Sequence, residues 1–181
     1  GNELPMWVAD MDFETAPEIR DAIQKRAGHG AFGYTLIPDE WYESIQNWWE
    51  TRHQFRIEKD WLIFCTGVVP AISSAVRKLT TPAEKVVLLT PVYNIFFNSV
   101  VNNGRYVVEC PLSYDGECYD VDFEALEEVL SDPQTTMLIF CNPHNPVGKI
   151  WTRETMERIG ELCWKYHVVV ISDEIHCELT H

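Results

Sequence analysis

From Trp61 onward the chain alternates between two textures. Contiguous apolar runs, WLIFC, KVVLLT, RYVVEC, TTMLIFC and VVVIS, are separated by longer stretches whose apolar positions recur three and four residues apart: VVPAISSAVRKLT, YNIFFNSVVNN, VDFEALEEVLS and TRETMERIGELCWKY. The short runs predict strands and the periodic stretches predict helices, and strand following helix in strict alternation predicts a parallel α/β fold. The strand runs lack polar alternation, as expected of a mostly parallel sheet with helices on both faces. Residues 1–60 differ. LPMWVADMDF is an irregular apolar stretch, PEIRDAIQKRA a short amphipathic helix and WYESIQNWWETRHQF another, so residues 1–60 read as an N-terminal arm with helices and 61–181 as the α/β part. DPQ at 132–134 is a turn, and no internal repeat or low-complexity segment interrupts the pattern.

With 181 residues, 46% of them hydrophobic and 12% aromatic, the chain has the apolar material for one good-sized core. Fourteen Lys and Arg stand against 28 Asp and Glu, and the net charge of -14 opposes phosphate backbones and anionic membrane surfaces. Nucleic acid and membrane are therefore not expected partners. The six cysteines, at 65, 110, 118, 141, 163 and 177, form no CxxC pair, and Cys65, Cys110 and Cys141 close strand-like runs. Buried thiols in a reducing cytosol fit that placement better than a disulfide frame or a zinc knuckle. No apolar run approaches the roughly 18 residues of a membrane helix, and GNELPMWVAD lacks the charged-then-apolar pattern of a signal peptide. The expectation is a cytoplasmic protein.

Ligands of open parallel sheets bind beyond the carboxyl ends of the strands, which singles out four places. In CTGVVPAISSAV, Thr66 and Gly67 precede a helix opened by Val68, Val69 and Pro70, whose free amides suit a phosphate or carboxylate; a plain turn is the other reading. Neither GxxxxGK[ST] nor GxGxxG is present. In TPVYNIFF, Tyr93 follows Pro91, placed either to cover a flat ligand or to pack with a wetted hydroxyl. NPHNPVGK compresses two Asn-Pro dipeptides and a glycine into one rigid turn, a positioning device, followed by Lys149, read as a solvated charge near the next helix start. Finally VVVISDEIH, 168–176, ends a run that looks fully buried in Asp173, Glu174 and His176. A carboxylate there needs a cationic or hydrogen-bonding partner. His176, Cys177 and His181 recruit no further ligand group of matching pattern, so no metal is expected.

Taken together, PMWVADMDF, GYT, TGVVPAIS, TPVYNIFF, NPHNPVGKIW and SDEIHCEL, in this order, resemble the pyridoxal-phosphate enzymes of aminotransferase fold type I, and within them the MalY/PatB-type cystathionine β-lyases, which are carbon-sulfur lyases. The resemblance spans essentially the whole chain. It implies pyridoxal 5'-phosphate as cofactor, with Asp173 pairing with the protonated pyridine nitrogen and so keeping the ring a strong electron sink. It further implies that Asn145 bonds the ring's 3-oxygen with His176 near the same edge, and that Gly67, Val68 and Val69 offer amides to the phosphate. Tyr93 would stack on the ring and Tyr34 would reach the cofactor of a neighbouring subunit, both counted among the catalytic residues, while Val8 and Ala9 would line the pocket near the substrate carboxylate.

The implied activity is β-elimination of a thiol from a sulfur amino acid such as cystathionine, giving pyruvate and ammonia, in a homodimer. An aminotransferase is the alternative reading, and a non-catalytic truncated α/β fragment is the alternative from another class. In this family the lysine that forms the Schiff base lies in a Ser-x-Lys segment well beyond the D-E-I-H aspartate, and the substrate-carboxylate arginine lies in a small C-terminal domain. Neither segment follows Asp173 before His181. The expectation is therefore the first half of such an enzyme, the early part of its large cofactor-binding domain, also lacking some N-terminal residues and not catalytic by itself.

Overall fold

The computed structural model describes residues 3–4 and 11–180. The chain divides into two compact units, Gly1–Leu62 and Ile63–His181. In the first, α1 (Pro17–His29) begins with proline in its first turn, where the missing N–H costs nothing, and stops at Gly30, whose φ of 72° is the left-handed cap that glycine adopts freely. Helix α2 (Asp39–His53) ends at Gln54, also left-handed at φ 53°. Lys59, in a short 3-10 turn over Lys59–Trp61, reaches back to Asp39 at 2.7 Å, and Gln46 donates to the Ile57 carbonyl at 2.7 Å. Neither helix buries a residue.

The second unit contains the expected α/β layers. A four-stranded, all-parallel sheet has β1 (Lys85–Thr90) and β5 (Thr135–Cys141) at its centre, with β2 (Tyr106–Pro111) and β6 (Val169–Asp173) at its edges, in the order β2-β1-β5-β6. Helices α3 (Val68–Leu79) and α4 (Ile95–Val101) cover one face; α5 (Phe123–Leu130) and α6 (Arg153–Lys165) cover the other. Successive side chains of a strand point to opposite faces. Accordingly Val86, Leu88, Met137 and Ile139 pack with Ile72, Val76, Phe96 and Val100, while Val87, Leu89, Leu138 and Phe140 pack with Leu126, Leu130, Ile159 and Cys163. Asp122 caps α5 by accepting from the amides of Glu124 and Ala125, each at 3.1 Å, and Thr152 caps α6 through the Thr155 amide.

Three expectations change. WLIFC forms no strand: after the turn at Trp61, residues 62–65 run without sheet pairing, and Ile63 is 83% exposed. An apolar run becomes a strand only where a neighbouring edge takes up its backbone groups, and none does so here. Cys65 is in consequence exposed, as is Cys118, whereas Cys110, Cys141 and Cys163 are buried. A two-stranded antiparallel hairpin, β3 (Ser113–Tyr114) with β4 (Tyr119–Asp120), was not expected; Asp115 folds its turn by accepting from the amides of Glu117 and Cys118, and Tyr114 stacks on Tyr119 at 4.6 Å.

Candidate functional site

Order along the sheet reverses between β1 and β5, since the chain moves outward from β1 to β2 and then crosses back to begin β5 on β1's other side. The crevice beyond such a reversal is where parallel sheets bind ligands. Tyr93 follows β1 and the loop 142–149 follows β5, so the two flank this crevice, with the end of β6 next along the same rim.

Asp173 closes β6 and is only 7% exposed. One carboxylate oxygen accepts the Ile175 amide at 3.1 Å, and its backbone carbonyl accepts the Asn142 amide at 3.0 Å, which ties the β5 loop to the end of β6. Among the described residues no Lys, Arg or His forms an ion pair with it. A buried carboxylate with one hydrogen bond and no counter-charge is a costly arrangement unless a cation arrives from outside the fold. The way in exists: an open cleft of about 250 Å³ is lined by Asp173, Glu174 and Ile175 on one side and by Val68, Ala71 and Ala75 of α3 on the other.

The start of α3 borders that cleft. Gly67 precedes the helix in an extended conformation, no side chain caps the first turn, and no acidic residue occupies it. The first amides of a helix have no partner within it, and an anion placed there meets both those N–H groups and the positive end of the helix dipole. A β-carbon added at Gly67 would meet Pro70 at an ordinary 3.5 Å, so this glycine is not demanded by crowding.

Tyr93 stands edge-on to the buried Phe96, ring centres 5.7 Å apart, and remains 39% exposed. Part of its ring is thus packed and part is open to solvent. Asn145 is half-buried, and its amide donates to the Cys141 sulfur at 3.4 Å. Burial raises the Cys141 thiol pKa above its ordinary value, and the nearby Asp173 adds to the rise while the Asn145 amide opposes it. His176 is half-buried in the turn after Asp173, its carbonyl accepting from the Leu179 amide.

Val68 and Asp173 are therefore brought to one cleft, and Asn145 and Tyr93 to the adjoining crevice. Tyr34 lies in the first unit, fully exposed, and Val8 and Ala9 fall outside the described residues, as does His181. Among the described residues no group of three or more His, Cys, Asp or Glu is placed to hold a metal. Lys149 is not the solvated charge expected of it: its ammonium bonds the Tyr119 carbonyl and the Asp120 carboxylate and lies over the Trp151 ring at 5.2 Å, pinning the β3-β4 hairpin to the β5 loop. His144, unremarked within NPHNP, is 2% exposed and bonds the Leu89 carbonyl at 3.2 Å. Its signal was a titratable ring set between two rigid Asn-Pro units.

This arrangement can hold a cation at Asp173, an anion at the start of α3 and a flat ring beside Tyr93. The family model for aminotransferase class I and II matches residues 4–181. Cystathionine beta-lyase PatB of Bacillus subtilis is 44% identical over 176 residues, covering 97% of this chain and 46% of that protein, and protein MalY of Escherichia coli is 36% identical over 177 residues, covering 97% and 45%. Among solved structures, cystalysin from Treponema denticola, which contains a pyridoxal 5'-phosphate cofactor, superposes with a TM-score of 0.91 at 38% identity, over 98% of this chain and 45% of that one. The chain thus spans a little under half the length of the curated relatives it matches. No helix among the described residues is long and apolar enough to cross a membrane. From a match that runs from residue 4 to the last, on a sheet whose carboxyl rim carries these groups, the chain belongs to the aminotransferase class I and II family.

Proposed function

We propose that this chain supplies the pyridoxal-phosphate-binding rim of an enzyme that eliminates a thiol from a β-thio-substituted amino acid such as cystathionine, releasing pyruvate and ammonia. The observation that carries the reading is Asp173, a buried carboxylate open to a cleft and with no ion-pair partner among the described residues. The groups present fit the cofactor: Asp173 would hold its ring nitrogen in the protonated state, the Gly67, Val68 and Val69 amides would take its phosphate, Tyr93 would lie against its face, and Asn145 with His176 would border its 3-oxygen edge. When bound, the cofactor supplies an acceptor for the electron pair left as the Cα proton departs, and the cation held by Asp173 sets how strong that acceptor is.

In this reading the amine that takes the Cα proton and the arginine for the substrate carboxylate are not supplied by these 181 residues, in which no lysine follows Asp173. Tyr34, Val8 and Ala9 are assigned to substrate contact and to the partner subunit's site in a cytoplasmic homodimer. Full-length protein carrying this chain, given cystathionine and pyridoxal phosphate, is expected to form pyruvate and ammonia in equal amounts. Amino transfer to a keto acid without pyruvate would make it an aminotransferase, and absence of both reactions together with absence of cofactor binding would leave a non-catalytic α/β module.

A further inference from the structure

His144 occupies the point where the two central strands part. Pairing of β1 with β5 ends at Leu88 and Ile139. Along β1 the carbonyls of Glu84 and Thr90 point to β2, accepting from Tyr106 and Leu112, and carbonyls alternate in direction along a strand, so the Leu89 carbonyl points to the β5 side. No β5 amide takes it, because the ladder has stopped one residue earlier. The imidazole of His144 takes it instead, Nε2 to oxygen at 3.2 Å across 55 residues of sequence.

The same residue closes its own loop. Its amide donates to the Lys149 carbonyl and its carbonyl accepts from the Gly148 amide, both at 2.7 Å, while the Trp151 ring stands edge-on to the imidazole at 5.7 Å. A carbonyl partner requires the proton on Nε2, which leaves Nδ1 an acceptor, buried and without a hydrogen-bond partner among the described residues. Desolvation also lowers this imidazole's pKa below its ordinary value, in keeping with a neutral ring.

We propose that His144 is a positioning residue: its imidazole takes over the strand pairing that β1 and β5 abandon, and so fixes Asn145 on one bank of the crevice relative to Tyr93 on the other. What the loop is positioned against rests on the pyridoxal-phosphate reading above; the bond itself does not. Glutamine carries an N–H the same number of bonds from the backbone as Nε2, whereas the amide of asparagine is one bond too short.

The test uses full-length protein carrying this chain, as wild type, His144→Asn and His144→Gln, with fold checked by far-ultraviolet circular dichroism. Two quantities are read: hydrogen exchange of the amides in 142–149 without cofactor, and the dissociation constant for pyridoxal phosphate with its induced circular dichroism. His144→Asn is expected to speed exchange and weaken binding by about tenfold each, as loss of one buried hydrogen bond predicts, with a smaller induced signal, and His144→Gln to restore both to within about threefold. Unchanged exchange and binding in folded His144→Asn would overturn the proposal, as would a folded His144→Gln no better than His144→Asn. If His144→Asn does not fold, a folded His144→Gln within about threefold of wild type in both quantities supports the proposal, and a folded His144→Gln about tenfold worse in both overturns it. If wild type fails to bind pyridoxal phosphate, the functional reading falls, while the exchange measurement still decides the role of His144.

Discussion

Replacing Asp173 by asparagine separates two tasks that its carboxylate combines. The amide oxygen of asparagine still accepts the Ile175 amide, so the turn after β6 is preserved, but the charge facing the cleft is gone. Without cofactor, stability to urea is expected to hold or rise by about 1 kcal/mol, because a buried charge with no ion-pair partner among the described residues is removed. Cofactor affinity, followed by absorbance titration, is expected to fall at least about tenfold, the scale of one charge-assisted hydrogen bond. Equal affinity in the Asp173→Asn protein would remove the carboxylate from the site. That Asp173 closes a strand was legible in the sequence, but the full burial expected of VVVIS was not met, because β6 is an edge strand with Val169 and Val170 each 40% exposed. The roles of Lys149 and His144 were not legible, because their partners, Asp120 and Leu89, come from distant segments whose proximity only the topology creates.

At the scale of elements, Arg105 joins three of them. It is 7% exposed, and its guanidinium donates to the Thr80 hydroxyl at 2.8 Å, to the Thr80 carbonyl at 2.5 Å, to the Arg77 carbonyl at 3.3 Å and to the Asn103 carbonyl. These carbonyls lie at the end of α3 and in the turn between α4 and β2, where the backbone has no helical partner to offer. Arg105→Met is expected to destabilise the chain by about 2 to 3 kcal/mol in urea unfolding, and Arg105→Lys to recover little, since one ammonium cannot serve a fork of acceptors. A methionine variant as stable as wild type would show that water replaces the guanidinium at little cost. Periodicity announced α3, α5 and α6 well, because each carries an apolar face of its own, with Asp122 and Thr152 capping the last two. WLIFC misled because a strand is a property of two segments. The β3-β4 hairpin escaped notice because its strands are two residues long, although the Asp-Gly at 115–116 is the signal that marks such turns.

The whole molecule has two unlike sheet edges. Strand β2 ends in Pro111 and carries an exposed Glu109, both of which discourage a further strand from pairing. Strand β6 offers Val169 and Val170, each 40% exposed, beside Ile175 at 61% and Leu179 at 66%. Apolar surface joined to open backbone groups invites association. The 181-residue chain is expected to sediment as concentration-dependent oligomers, and Val170→Lys to shift it toward monomer; a wild-type chain monomeric at all concentrations would contradict this. The floor beneath the rim is built differently from either edge. Because neighbouring residues of β1 and β5 feed opposite cores, the two helical layers can drift in composition independently of one another over generations of substitution. The crevice above inherits its position from the place where those two strands part, whichever helices happen to clothe them.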